Sequence, residues 1–330
     1  MTGQRQRMRE RTNGYTVSPE LYLKAAWTAL VALTLIVMTG AAVRLTGSGL
    51  GCPTWPKCYG HVYPPLNTHA VIEFSNRMLT VPVSIAAGAA WVMALRRRPY
   101  RRDLAWLGGM LPLGVVGQAV LGGFTVKGAL DYGWVMGHFA LSMLILLAAV
   151  MLVWRAGHEA AELAERPAVD RRLLLMIRVL TGFAAVTVFA GTAATAAGPH
   201  AGGSPGQKIN RLSFDGTGTM DFVIHRHAEI ALAFSLLAVA TWFLARRLRA
   251  AHDVQRPLTV LCILLALQGA VGMDQYFTHL PTQLVWVHVC LACGAWITAL
   301  FVACAAGALE PSRSRPRADE PVEGTVGAVA

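Results

Sequence analysis

Apolar residues dominate the chain in eight long blocks, at 23–44, 70–95, 104–126, 133–154, 173–196, 221–245, 257–277 and 282–307, with polar and charged residues gathered between them. Each block is long enough to cross a hydrocarbon layer of ~30 Å as a helix. The fold class predicted is all-α: a polytopic membrane protein of eight transmembrane helices, each satisfying its backbone polar groups internally. The first block is too long, too far from residue 1 and too poorly followed by a cleavage site to be a signal peptide. It is expected to be a retained helix. The polar segments divide the rest into a tail (1–22), an N-terminal half (23–154), a charged and partly helical linker (155–172), a C-terminal half (173–307) and a second tail (308–330). Both tails are expected to be disordered.

The pattern repeats. Gln118 and His138 are 20 residues apart, and so are Gln268 and His288, 150 residues further on. The first block ends in "TGAAVRLTGSG" and the fifth in "AGTAATAAGPH", with Gly40 matching Gly191 and Gly47 matching Gly198. The second block of each half opens with a polar cluster, "HAVIEFSNR" and "DFVIHRHAE". Four helices separate equivalent positions, so the halves are expected to be parallel, related by an axis along the membrane normal. Two four-helix bundles follow, with cofactors between facing helices.

Composition narrows the class. The chain is 55% hydrophobic and 14% charged, with a mean hydropathy of +0.47, which excludes an ordinary soluble domain. Its net charge of +11 invites a nucleic-acid reading, but the placement of the charge argues against one. Of the 29 Lys and Arg, 22 fall in or beside the two tails, the 96–102 loop, the linker and the 246–256 loop, all on one side of an eight-helix topology. This is the positive-inside pattern, and it predicts both termini in the cytoplasm.

Histidine is costly inside a bilayer and usually functional there. His138, His288, and His225 with His227 lie about five to seven residues into their helices from the outer side, roughly 7–10 Å deep. Two histidines facing each other at one depth can hold a heme iron from both sides. The C-terminal half offers His288 with either His225 or His227, which stand about 200° apart on a helix. In the N-terminal half, His69, Glu73 and Asn76 share one helix face, and Arg77 lies one turn beyond Glu73. A carboxylate placed there suits proton transfer or charge stabilisation. Cys52 and Cys58 lie in the first outer loop, on an oxidising side, where a disulfide or a redox-active pair is plausible. Cys262, Cys290, Cys293 and Cys304 fall within helices and are expected to pack as small hydrophobes. The glycines of the third helix fit close helix packing.

The segments "VRLTGSGLGCPTWPKC", "IEFSNR", "GQAVLGGFTV…GHFALS", "GTAATAAGPHAGG" and "LQGAVGM…WVHVCLA" together resemble the heme A synthase family over residues 25–305. The resemblance implies an eight-helix membrane enzyme that oxidises the C8 methyl of heme O to a formyl group. It implies heme b on His288 and the His225/His227 position, with His225 the first choice because His225-Arg226 parallels Asn76-Arg77. It implies heme O at His138, a catalytic Glu73, and a paired Cys52 and Cys58. Asn76 departs from the family, where many members carry histidine, and His69 is the alternative that could reach over. Heme O synthase and cytochrome c oxidase assembly are the implied partners, with the lipid bilayer and, as one state the sequence allows, a homo-oligomer; nucleic acid is not expected. The implied location is the cell (plasma) membrane. The rival reading is a diheme cytochrome b that only relays electrons.

Overall fold

The computed structural model describes residues 15–204, 206–214 and 218–310. Most of both expected tails, including Arg5, Arg7, Arg9 and Arg11, lies outside the described residues. Eight long helices match the eight apolar blocks to within a few residues: α1 (Pro19–Leu45), α2 (Thr68–Arg96), α3 (Arg102–Lys127), α4 (Tyr132–Ala156), α5 (Arg171–Ala197), α6 (Thr219–Arg247), α7 (His252–Phe277) and α8 (Thr282–Ala305). All eight have the length and hydropathy of membrane spans. A short helix, Ala160–Glu165, lies in the linker and is closed by a capping box between Glu159 and Glu162. Among the described residues there is no strand, only two isolated bridges.

The helix starts follow from local chemistry. Ser18 caps α1 by accepting from Leu21 N–H, and Pro19 then begins the helix where no N–H is needed, so α1 starts four residues before the apolar block does. Asn67, Asp131 and Asp170 cap α2, α4 and α5 in the same way. In a bilayer such caps matter more than in water, because an unpaired N–H has no solvent to fall back on.

Helices α1–α4 pack around one another in sequence, and α5–α8 do likewise. The contact between the two sets runs through α4 and α8, which bury more of their apolar length than the other six. Trp296 on α8 donates from Nε1 to the Met143 carbonyl on α4 at 3.1 Å, and Trp286 donates to the Met38 carbonyl on α1 at 3.0 Å. Small residues allow the close approaches. A Cβ on Gly108 would lie 3.2 Å from the Trp91 Cα, and one on Gly114 only 2.5 Å from the Ile145 side chain. Leu35, Ile85, Leu113 and Leu236 point outward and are exposed, as side chains facing lipid are.

The loops after α1 and α5 meet at the same end of the molecule. Gly49 N–H donates to the Gly202 carbonyl at 2.9 Å, and Ser204 Oγ donates to the Gly47 carbonyl at 2.8 Å. At the other end an arginine-rich network joins the linker to the helices. Arg97, fully buried, pairs with Glu159, and Arg101 pairs with Asp103 while donating to the Arg155 and His158 carbonyls. Arg155 also reaches Glu310, and Arg166 pairs with Asp253 across to α7.

Candidate functional site

His138 and His288 occupy the same register, each six residues beyond the first residue of its helix. The same polar clamp holds each of them. Gln118 Nε2 donates to the His138 carbonyl at 3.0 Å, and Gln268 Nε2 donates to the His288 carbonyl at 3.0 Å. One turn beyond each glutamine a glycine faces the imidazole. A Cβ on Gly122 would lie 3.3 Å from His138 Cε1, and one on Gly272 would lie 3.2 Å from His288 Cε1. The glutamine fixes the helix that carries the ring, and the glycine makes room for the ring itself.

His227 stands across from His288. Their ring centroids are 6.3 Å apart, with the planes at 73°. Metal–imidazole bonds of about 2.0 Å, plus the distance from nitrogen to ring centre, put two imidazoles about 6 Å apart when one iron lies between them. Nδ1 of His138, His227 and His288 is in each case buried without a hydrogen-bond partner among the described residues. A buried nitrogen left unmatched is costly, and three on rings backed by glycine indicate a group to be bound. The third glycine is Gly191 on α5, whose Cβ would meet His227 Cε1 at 3.2 Å. The residues present thus fit a bis-histidine iron porphyrin between α6 and α8.

His225 lies elsewhere. It is exposed, its Nδ1 is bonded to the Asp221 carbonyl of its own helix at 2.7 Å, and its ring meets Tyr276 edge-on. Arg226 pairs with Glu229 on the exposed side of α6. His227 is eight residues past the start of its helix, and so is Asn76. Gly191 faces His227 and Gly40 faces Asn76, the latter pair at 3.8 Å. The counterpart of Asn76 is therefore His227, at an offset of 151 rather than 149. Reading "SNR" against "HR" alone puts the register two residues off, and that turns the side chain about 200° around the helix.

On α2 the polar cluster binds the first outer loop. Glu73 is 6% exposed. Its Oε2 accepts from Cys52 N–H at 2.7 Å and its Oε1 from Arg77 at 2.5 Å. Arg77 also donates to the Thr54 and Cys52 carbonyls, both at 2.9 Å. Each charge-assisted bond of this kind contributes about 1.5–3 kcal/mol, so the carboxylate and guanidinium together seat the loop. Cys52 and Cys58 are joined as a disulfide inside it. His69 Nδ1 lies 3.0 Å from Ser48 Oγ, directed to the same loop. Gly51 passes so close to the His69 carbonyl that a Cβ there would lie 2.2 Å from its oxygen. Asn76 is held from α1: Thr39 Oγ1 donates to its Oδ1 at 2.7 Å. Sequence reasoning passed over Thr39 and Gly272, and it read Gly122 as helix packing and Gly191 as part of the repeat without placing either beside a ring. The glycines on α3 and α7 carried a signal, since each lies four residues after its glutamine. Of the remaining cysteines, Cys293 is buried, and all four are free thiols.

A model of the family described as cytochrome oxidase assembly protein (COX15-CtaA) matches residues 24–71 and 66–301. The chain is 28% identical over 309 residues to a protoheme IX farnesyltransferase of Thermus thermophilus, covering 88% of this chain and 49% of that protein. It is 36% identical over 140 residues to the heme A synthase of Lysinibacillus sphaericus, covering 40% of this chain and 44% of that protein. It is 23% identical over 288 residues to the heme A synthase of Bacillus licheniformis, covering 84% and 90%. The chain thus spans about half the length of the first two of these relatives. The family match runs through all eight spans, with their glutamine-clamped histidines, and the chain belongs to the cytochrome oxidase assembly protein family, that of the heme A synthases.

Proposed function

We propose that the protein is a heme A synthase, a membrane oxidoreductase that converts the C8 methyl of heme O to a formyl group by successive hydroxylations, the gem-diol then losing water. The observation that carries this reading is the matched pair of glutamine-clamped, glycine-backed histidines, one of which, His288, has a second imidazole across from it. The half at 173–307 would be the resident cofactor site, where His227 and His288 would hold heme b. The half at 23–154 receives heme O at His138. Heme b, when bound, would supply one-electron relay.

The chain's own residues do the rest. Gln118 and Gln268 hold the two histidine-bearing helices in register, and Gly122, Gly191 and Gly272 leave room for the rings of His138, His227 and His288. The disulfide loop, seated on Glu73 and Arg77, covers the outer end of the substrate half and excludes water. Glu73 is the catalytic carboxylate in this reading. Both its oxygens already accept hydrogen bonds, so a proton taken up there competes with Cys52 N–H or Arg77, which couples proton handling to the seating of the loop. The protein lies in the cell membrane with both termini cytoplasmic, a reading supported by the charge asymmetry of its loops. Its substrate is the product of a heme O synthase, and the match to a protein named protoheme IX farnesyltransferase supports that partnership.

Pigment extraction tests the reading. Cells that express this chain together with a heme O synthase should contain heme A. Accumulation of heme O alone, with the protein present and folded, would refute it.

A further inference from the structure

Two residues hold matching places on the second helix of each four-helix set, and they differ. His227 on α6 has Gly191 behind it and His288 across from it. Asn76 on α2 has Gly40 behind it, and His138 occupies the place of His288. An amide is a poor iron ligand beside an imidazole. His69 does not replace it, because its Nδ1 is engaged by Ser48 in the outer loop and it stands seven residues, nearly two turns, toward the helix start. Asn76 is also oriented. Thr39 Oγ1 donates to its Oδ1 at 2.7 Å, and its Nδ2 lies 3.8 Å from where a Cβ on Gly40 would stand. An amide whose carbonyl end is fixed presents its two N–H donors at the other end.

We propose that the N-terminal site binds the substrate iron through a single protein ligand, His138, and that Asn76, oriented by Thr39, directs its Nδ2 donors at the open side of that iron. The inference rests on the assignment of the N-terminal half as the substrate site, which the proposed function makes. It goes further in specifying the coordination of that site. A small polar or diatomic ligand on the iron would find a hydrogen-bond donor above it, where the other half places a second imidazole. The two sites would then differ in kind: one closed on both sides for electron transfer, the other open on one side for chemistry.

Ferrous carbon monoxide complexes test this without turnover, because CO needs an open coordination position. The full-length protein is purified, loaded with protoheme and reduced. The C-terminal heme should stay low-spin and refuse CO, and the N-terminal heme should bind it. Asn76→His should close the site: CO binding is lost and low-spin heme rises correspondingly, with the C-terminal heme unchanged as the internal check of folding. Asn76→Val should keep CO binding but move the C–O stretching band to higher frequency, since a donor near the ligand oxygen has been removed. Thr39→Val should shift the band the same way by less. A CO complex that persists in Asn76→His, or a stretching band that Asn76→Val leaves in place, would overturn the inference. His138→Ala separates the two levels of the argument. Loss of the CO complex in that variant upholds the substrate-site assignment, whereas retention of it removes that assignment and this inference with it.

Discussion

Helices α1–α4 and α5–α8 carry the same clamp on their third and fourth helices and diverge on their second helix and first outer loop. In the C-terminal set, α6 turns an imidazole inward and leaves its charged residues outside, where Arg226 and Glu229 pair on the surface. In the N-terminal set, α2 turns an amide to the corresponding place and uses its charged residues inward, where Glu73 and Arg77 hold a disulfide-bonded loop. At the offset of 151 that relates Asn76 to His227, the counterpart of Glu73 is Ile224. The comparison teaches how one scaffold serves two purposes. The histidine on the fourth helix and the glutamine bonded to its carbonyl are common to both sets, and in the proposed function they form the porphyrin site of each. Under the proposed function, the second helix is where the two sites differ: it carries His227 in one set and Asn76 with Glu73 in the other.

The largest effects test whether the two sets are parallel at all. Reporter fusions at Cys52 and Gly202 should both read outside, and those at Arg98 and Arg249 inside. A Gly202 reporter on the cytoplasmic side would break the comparison, because the two loops that meet in the structure could no longer share an end.

Axial-ligand variants come next, with complete loss of one pigment expected in each. His288→Ala and His227→Ala should each abolish the low-spin heme b absorbance of the purified protein, and His225→Ala should leave it. His138→Ala should leave the same band intact yet stop heme A formation. If His225→Ala removed the band and His227→Ala spared it, the register drawn from Gly191 would be wrong.

Glu73→Gln keeps the shape of the side chain and removes its charge. Heme A formation should fall by roughly a hundredfold, the scale of a lost proton-transfer group, with heme O or its hydroxylated product accumulating and heme b unchanged. Chromatography of extracted hemes reads this directly. Turnover at the normal rate would reduce Glu73 to an anchor for the loop.

The disulfide should matter less. Peptide mass spectrometry without reductant should show Cys52 linked to Cys58. The double serine variant should lose about 2 kcal/mol of stability locally, as expected for a short closed loop. Activity should drop severalfold and heme b should be retained. Free thiols in protein isolated without reductant would count against it. The smallest expected effects come from the glycines. Gly272→Ala puts a methyl 3.2 Å from His288 Cε1, and Gly122→Ala puts one 3.3 Å from His138 Cε1. Each should weaken heme retention a few-fold in its own half only, and equal losses in both halves from either variant would show that the two sites are not independent.

The eight spans, the side on which charge collects and the spaced glutamine–histidine pairs could all be read from the sequence, because each depends on local properties. A run of apolar residues long enough for the bilayer makes a helix whatever its neighbours, and a fixed spacing on adjacent helices keeps its meaning as long as both stay helical. The partner of His288 could not be read this way. Choosing between His225 and His227 depends on how far α6 is rotated and shifted against α5 and α8, a matter of packing against Gly191 that no stretch of α6 records. The same holds for Asn76, whose meaning comes from a threonine on α1 thirty-seven residues earlier. It holds for Glu73 as well, which the sequence marks only as a carboxylate inside an apolar helix. That its two oxygens close on a loop amide and on Arg77 was decided by the fold, since a buried charge takes whatever donors the chain brings within reach.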